Sequence, residues 1–145
     1  MDFAVVIGFY SLVSLPNIAT FAHRKIKLME MNHTREEKIE AFGRLLDVLD
    51  ELRVKCPWDR KQTNESLRPN TIEEVYELCD ALMKDDKKNI CKELGDVLLH
   101  VVFYAKIGSE TGDFDIKDVC DKLCDKLIFR HPHVLGEVKA DTAEQ

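Results

Sequence analysis

Two groups of carboxylates are spaced in a way that suits chemistry. Glu73, Glu74, Glu77 and Asp80 lie three and four residues apart, so a helix would bring them onto one side. A row of acids opposite an apolar stripe is usually a solvated face, and this group alone carries little. Glu93, Asp96 and His100 read differently. They form a narrow polar stripe in a segment that is otherwise apolar almost all round, and charged groups placed in a core need partners. The cations close in sequence are Lys92 and Lys106, so an ion bridging the two acidic stripes is the better match. Oxygen ligands without thiolates or an obligate imidazole fit a hard cation, magnesium or manganese. Facing carboxylates holding such an ion are suited to activating water and neutralising a phosphate leaving group.

Positive charge stands where a phosphate would use it. Lys122, Lys126 and Arg130 recur every four residues, and Lys61 and Arg68 precede the first acidic group. The same spacing would serve an ordinary solvated face. Trp58, the only tryptophan, reads as a stacking surface for a base or as a plug at the end of a core.

The elements that must position these residues are helices. Thr34 and Glu37 have capping-box spacing before an apolar repeat through Ile39, Phe42, Leu45, Leu46, Leu49 and Leu52, which predicts a helix over about 35–53. Residues 54–68 read as an ordered loop with one helical turn near Asn64 to Leu67. Asn70 with Glu73 predicts a start for a second helix over about 71–84. Asn89 is the expected cap of a third over about 90–108, whose apolar residues point nearly all round, as in a helix buried on most sides. Asp115 should cap a fourth, with Ile116, Val119, Leu123, Leu127 and Ile128 as its stripe, until His131-Pro132 stops it. Four helices with short connections predict an all-α, antiparallel, bundle-like fold.

Composition agrees. The 145 residues suffice for one domain with a modest core, and a chain rich in apolar and charged residues but holding only 6 Gly and 4 Pro favours amphipathic helices over sheet and turn. A net charge of −6 makes a long nucleic acid an unfavourable partner. The five cysteines, Cys56, Cys79, Cys91, Cys120 and Cys124, are odd in number and contain no Cys-x-x-Cys pair. They are expected to be small buried hydrophobes in a reducing, cytoplasmic setting rather than a disulfide framework or a zinc site.

Residues 1–32 form a separate hydrophobic extension, apolar up to Ala22 apart from Asp2 and then basic at His23-Arg24-Lys25-Ile26-Lys27. Charge after the apolar run, with Pro16-Asn17 inside it, argues against a secretory signal, and the run is marginal for a membrane span. A true translation start at Met29 or Met31 is the preferred reading, ahead of a leader or anchor and of an extra packed element. Residues 140–145 read as the beginning of a further helix, with Asp141 and Glu144 at helix-start spacing.

Taken together, Cys56-Pro57-Trp58-Asp59, Gln62-Thr63 leading to Glu65-Ser66-Leu67-Arg68-Pro69, Glu73-Glu74-x-x-Glu77, Glu93-Leu94-Gly95-Asp96 and Arg130-His131-Pro132-His133 resemble the first domain of the MazG nucleotide pyrophosphohydrolases, over residues 33–139. The resemblance implies an all-α NTP pyrophosphatase fold, assembled as a dimer or higher oligomer. It implies that Glu74, Glu77, Glu93 and Asp96 bind magnesium and that Glu73 orients or deprotonates the attacking water. It further implies that Lys126 and Arg130 bind phosphate, that Trp58 lies near the nucleotide, and that a nucleoside triphosphate is cut to monophosphate and pyrophosphate. Lys61 and Arg68 join the substrate-binding set. Two departures, Asn64 in place of a usual His and Asn70-Thr71 in place of a more apolar pair, bear on substrate preference.

Two rivals stand beside this reading. A di-iron carboxylate bundle would want two Glu-x-x-His motifs, whereas here Asp96 follows Glu93 at that spacing. A non-catalytic module, binding metal structurally or serving oligomerisation within a longer protein, is the other.

Overall fold

The structure, a computed structural model, describes residues 32–136. The predicted extension and the predicted final helix start lie outside them. The order of elements is α1 (Arg35–Lys55), a 3-10 turn (Asp59–Lys61), α2 (Asn64–Met83), α3 (Lys87–Glu110), α4 (Ile116–Arg130) and the single turn α5 (Pro132–Leu135). No strand occurs among the described residues, as an all-α fold requires. The chain divides into two compact units, Met1–Gly43 and Arg44–Gln145.

The first unit's described part opens α1 as its sequence dictates. The Thr34 hydroxyl accepts from the Glu37 amide at 3.1 Å, and the Glu37 carboxylate accepts from the Thr34 amide at 2.6 Å.

In the second unit, α2 begins at Asn64 rather than near residue 71. Thr63 and Ser66 form a reciprocal capping box, and Leu67, 2% exposed, anchors the first turns in the core. Those two stabilising features carry the helix through Pro69, which sits inside it. Pro69 and Asn70 therefore mark no boundary, although they look like a stop and a start. Likewise α3 begins at Lys87, because Asp86 and not Asn89 is the cap: its carboxylate accepts from the Asn89 amide at 3.2 Å. It runs on to Glu110, past Gly108, against which the Phe114 ring is laid. Asp115 caps α4 in a second reciprocal box with Asp118, and the helix ends before His131-Pro132 as expected.

The α2 and α3 helices pack closely, joined by the turn 84–86. Facing side chains have residue numbers of nearly constant sum, Glu77 with Glu93 and Thr71 with His100, so the pair is antiparallel. Among the described residues, the buried apolar side chains are Leu49, Leu67, Ala81, Val102, Phe103 and Ala105. The α3 helix is not covered on most sides, because Leu94, Leu98 and Val101 are exposed. Four of the five cysteines are exposed and Cys56 is half-buried, contrary to the expectation of core positions. In α2, α3 and α4 they fall outside the faces that the helices turn inward.

Candidate metal centre

The site is built from the polar seam of the α2/α3 pair. Glu74 and Glu77 lie one turn apart on α2, and Glu93 stands opposite on α3. One carboxylate oxygen from each lies within 4.8 Å of the others. Like charges at that spacing repel, and the chemistry of Glu74 shows it. Partial burial, then Asp96, Glu77 and Glu93 in turn, push its carboxyl above the usual carboxylate range. Glu93 is only 6% exposed, and its Oε2 is buried with no hydrogen-bond partner. A buried acceptor left unpaired costs free energy, so this oxygen is placed for a ligand rather than for stability.

Asp96 belongs to the same seam through its effect on Glu74, but its nearest recorded partner is Lys92. The Lys92 ammonium reaches Glu93 Oε1 at 2.9 Å and Asp96 Oδ2 at 3.1 Å. The spacing predicts an external ion, rather than Lys92, as the neutralising charge. Lys92 supplies part of that charge, on the exposed side of the acids, and among the described residues the buried Oε2 has no partner. Lys106 is used elsewhere, with Asp50 at 2.7 Å.

Glu73 is exposed and lies outside the group of three. Lys122, Lys126 and Arg130 are exposed on α4, and among the described residues none of them is held in an ion pair or joined to the acids. Trp58 is 58% exposed in the loop before the 3-10 turn, which removes the core-plug reading. Lys61 closes that turn. Arg68 lines a cavity of about 380 Å³ with Asn64, Glu65, Tyr104 and Phe114 at one end of the seam. At the other end a cavity of about 610 Å³ opens onto Glu77, Glu93, Lys84 and Lys92.

Two further features support the site. Arg53, at the end of α1, hydrogen-bonds the carbonyls of Asp59 and Gln62, the latter at 3.0 Å, and grips Glu110 through two nitrogens at 2.8 and 2.9 Å. Its guanidinium also lies over the Phe103 ring at 5.6 Å. One side chain thus ties the loop that carries Trp58 and Lys61 to α3. The second is a set of hydrogen bonds between Thr71, His100 and Tyr104. His100 was legible as part of the polar stripe. Thr71 and Tyr104 were not, because a hydroxyl in a helical repeat carries no signal of where it points.

Comparison with known proteins places the chain in context. Residues 62–135 match the family model for the MazG nucleotide pyrophosphohydrolase domain. The nucleoside triphosphate pyrophosphohydrolase of Escherichia coli K12 is 43% identical over 107 residues, which are 72% of this chain and 41% of that protein. The nucleoside triphosphate pyrophosphohydrolase/pyrophosphatase MazG of Thermotoga maritima is 51% identical over 98 residues, 66% of this chain and 38% of that one. The chain thus spans about two fifths of the length of these curated relatives. A crystal structure of a mazG-related protein from Thermotoga maritima superposes with a TM-score of 0.61 at 28% identity, covering 70% of this chain and 90% of that one.

Proposed function

Because the chain belongs to the MazG nucleotide pyrophosphohydrolase domain family, we propose that it hydrolyses nucleoside triphosphates to monophosphate and pyrophosphate by attack of water on the α-phosphorus. The observation that carries the reading is the convergence of Glu74, Glu77 and Glu93 around a buried, unpartnered Glu93 oxygen. Oxygen donors of this kind fit magnesium or manganese, and we assign Glu74, Glu77, Glu93 and Asp96 as the ligands. Such an ion would lower the pKa of a bound water and neutralise charge on the leaving group.

The protein's own residues do the positioning. Glu73, beside Glu74 on the open side of α2, takes the proton from the attacking water. Lys126 and Arg130 hold the departing phosphates, free of competing ion pairs among the described residues. Trp58, Lys61 and Arg68 contact the nucleotide, with Arg53 fixing the loop that presents the first two.

A homodimer is part of the proposal. Leu123, Leu127 and Ile128 are all exposed on α4, an apolar stripe that a single copy leaves open. No described helix is long and apolar enough to cross a membrane, and the free cysteines favour a reducing, cytoplasmic compartment.

The test is pyrophosphate release from a panel of nucleoside triphosphates, with magnesium and with chelator. Release that requires the cation and disappears in Glu93→Gln is expected. Orthophosphate as the first product would contradict α-cleavage.

A further inference from the structure

One turn beyond the acids, the α2/α3 seam holds a polar cluster with no part in the assignments above. Thr71 Oγ1 has three neighbours: the Leu67 carbonyl at 3.1 Å, His100 Nδ1 at 2.7 Å and the Tyr104 hydroxyl at 2.5 Å. His100 is only 8% exposed.

Counting hydrogens gives a wiring that satisfies all three contacts. A threonine hydroxyl has one hydrogen and two lone pairs. The Leu67 carbonyl can only accept, so the Thr71 hydrogen goes there, the back-bond of a helical threonine to the carbonyl four residues earlier. Both lone pairs of Oγ1 then take hydrogens, one from Tyr104 O–H and one from His100 Nδ1–H. In the neutral imidazole this fixes the hydrogen on Nδ1 and leaves a bare lone pair on Nε2. No hydrogen bond among the described residues uses that nitrogen.

The position of His100 gives the lone pair a purpose. Seven residues, or two turns, separate Glu93 from His100, so both lie on the line of α3 that faces α2, about 10 Å apart along the axis. Asp96 lies between them, and Thr71, which His100 contacts, stands one turn before Glu74 on α2. The ring is therefore placed one helical turn along the seam from the carboxylates.

We propose that His100, locked in the Nδ1–H tautomer by Thr71 and Tyr104, orients the attacking water by accepting one of its hydrogens at Nε2. The water's other hydrogen is the proton assigned to Glu73. No covalent bond to His100 forms or breaks. This rests on the hydrolytic function proposed above.

Two measurements test it. In the metal-free protein, nitrogen NMR of labelled histidine should show the His100 Nδ1 protonated and the Nε2 bare, with the preference weakened in Thr71→Val and kept in Thr71→Ser. The opposite tautomer in the parent overturns the proposal whatever its activity. The second measurement compares two amides. His100→Gln places a polar atom near the position of Nε2, whereas His100→Asn reproduces only the Nδ1 side. The proposal expects kcat near the parent's for H100Q and about tenfold lower for H100N, the worth of one hydrogen bond, with KM unchanged in both. A merely structural tie to Thr71 predicts the reverse order, with H100Q melting lower and losing activity, and that result sinks the water-orienting role. A parent that releases no pyrophosphate fails the hydrolytic reading and with it the water role, while the tautomer assignment is still decided by NMR.

Discussion

At the scale of single residues, the acids of the seam should show that they are held for a ligand at some cost to the metal-free fold. The Glu74 carboxyl is raised above its ordinary value of 4.5. A group whose folded pKa exceeds its unfolded one contributes stability that is fully present below pH 4.5 and is lost as pH rises through the folded value. The chelated protein should therefore lose melting temperature from mildly acid toward neutral pH, and Glu74→Gln should flatten that part of the profile. An unchanged slope in the variant would remove Glu74 from the electrostatic centre of the site. Asp96→Asn trades two small effects, loss of an exposed pair with Lys92 and relief of repulsion on Glu74, so its metal-free melting point should stay near the parent's. Magnesium at a hundredfold excess over its dissociation constant should stabilise the parent by about 2.7 kcal/mol and the variant far less. Melts with and without chelator check both statements. Lys126→Ala and Arg130→Ala should mainly raise KM, and unaltered kinetics in both would make the basic row a solvated face.

At the scale of elements, the connections that hold the site are short-range caps and one long-range clamp. Removing the α2 cap with Thr63→Ala should cost about 1 kcal/mol, read as a shift of the denaturation midpoint. Arg53→Lys should cost more, about 2 kcal/mol, because an ammonium cannot reproduce the fork to Glu110 together with the carbonyl bonds to the loop. It should also raise KM through the loosened Trp58 and Lys61, and limited proteolysis at 56–62 would show the loosening directly. The contrast explains what could be read in advance. Thr34, Asp115 and the His131-Pro132 stop act within a few residues of themselves, and their elements were legible in the sequence. The two acidic stripes that hold Glu74, Glu77 and Glu93 were legible from helical spacing, whereas the choice of Glu74, Glu77, Glu93 and Asp96 as ligands comes from the family resemblance. Pro69 and Asn70 misled because the forces that carry α2 through them, the Thr63 cap and the buried Leu67, lie outside the local motif. Arg53 and the Thr71 cluster depend on contacts dozens of residues apart, for which one sequence holds no pattern.

At the scale of the whole molecule, the apolar surface left open on α3 and α4 is the strongest physical reason to expect a second copy. Leu94, Leu98, Leu123, Leu127 and Ile128 are exposed together with Phe129, at 85%. The four exposed cysteines argue the same way, since the sequence expectation of burial fails for one copy. Light scattering at micromolar concentration should give a dimer mass or higher, and Leu127→Asp should lower it; a clean monomer in the parent would contradict the assembly. The central proposal is that the carboxylate seam directs water to the α-phosphorus. The most direct measurement is hydrolysis in water enriched in the heavy oxygen isotope, with magnesium present and the products separated by mass. The label should appear in the nucleoside monophosphate, with pyrophosphate unlabelled. Label in the pyrophosphate, or release of orthophosphate first, would contradict the account.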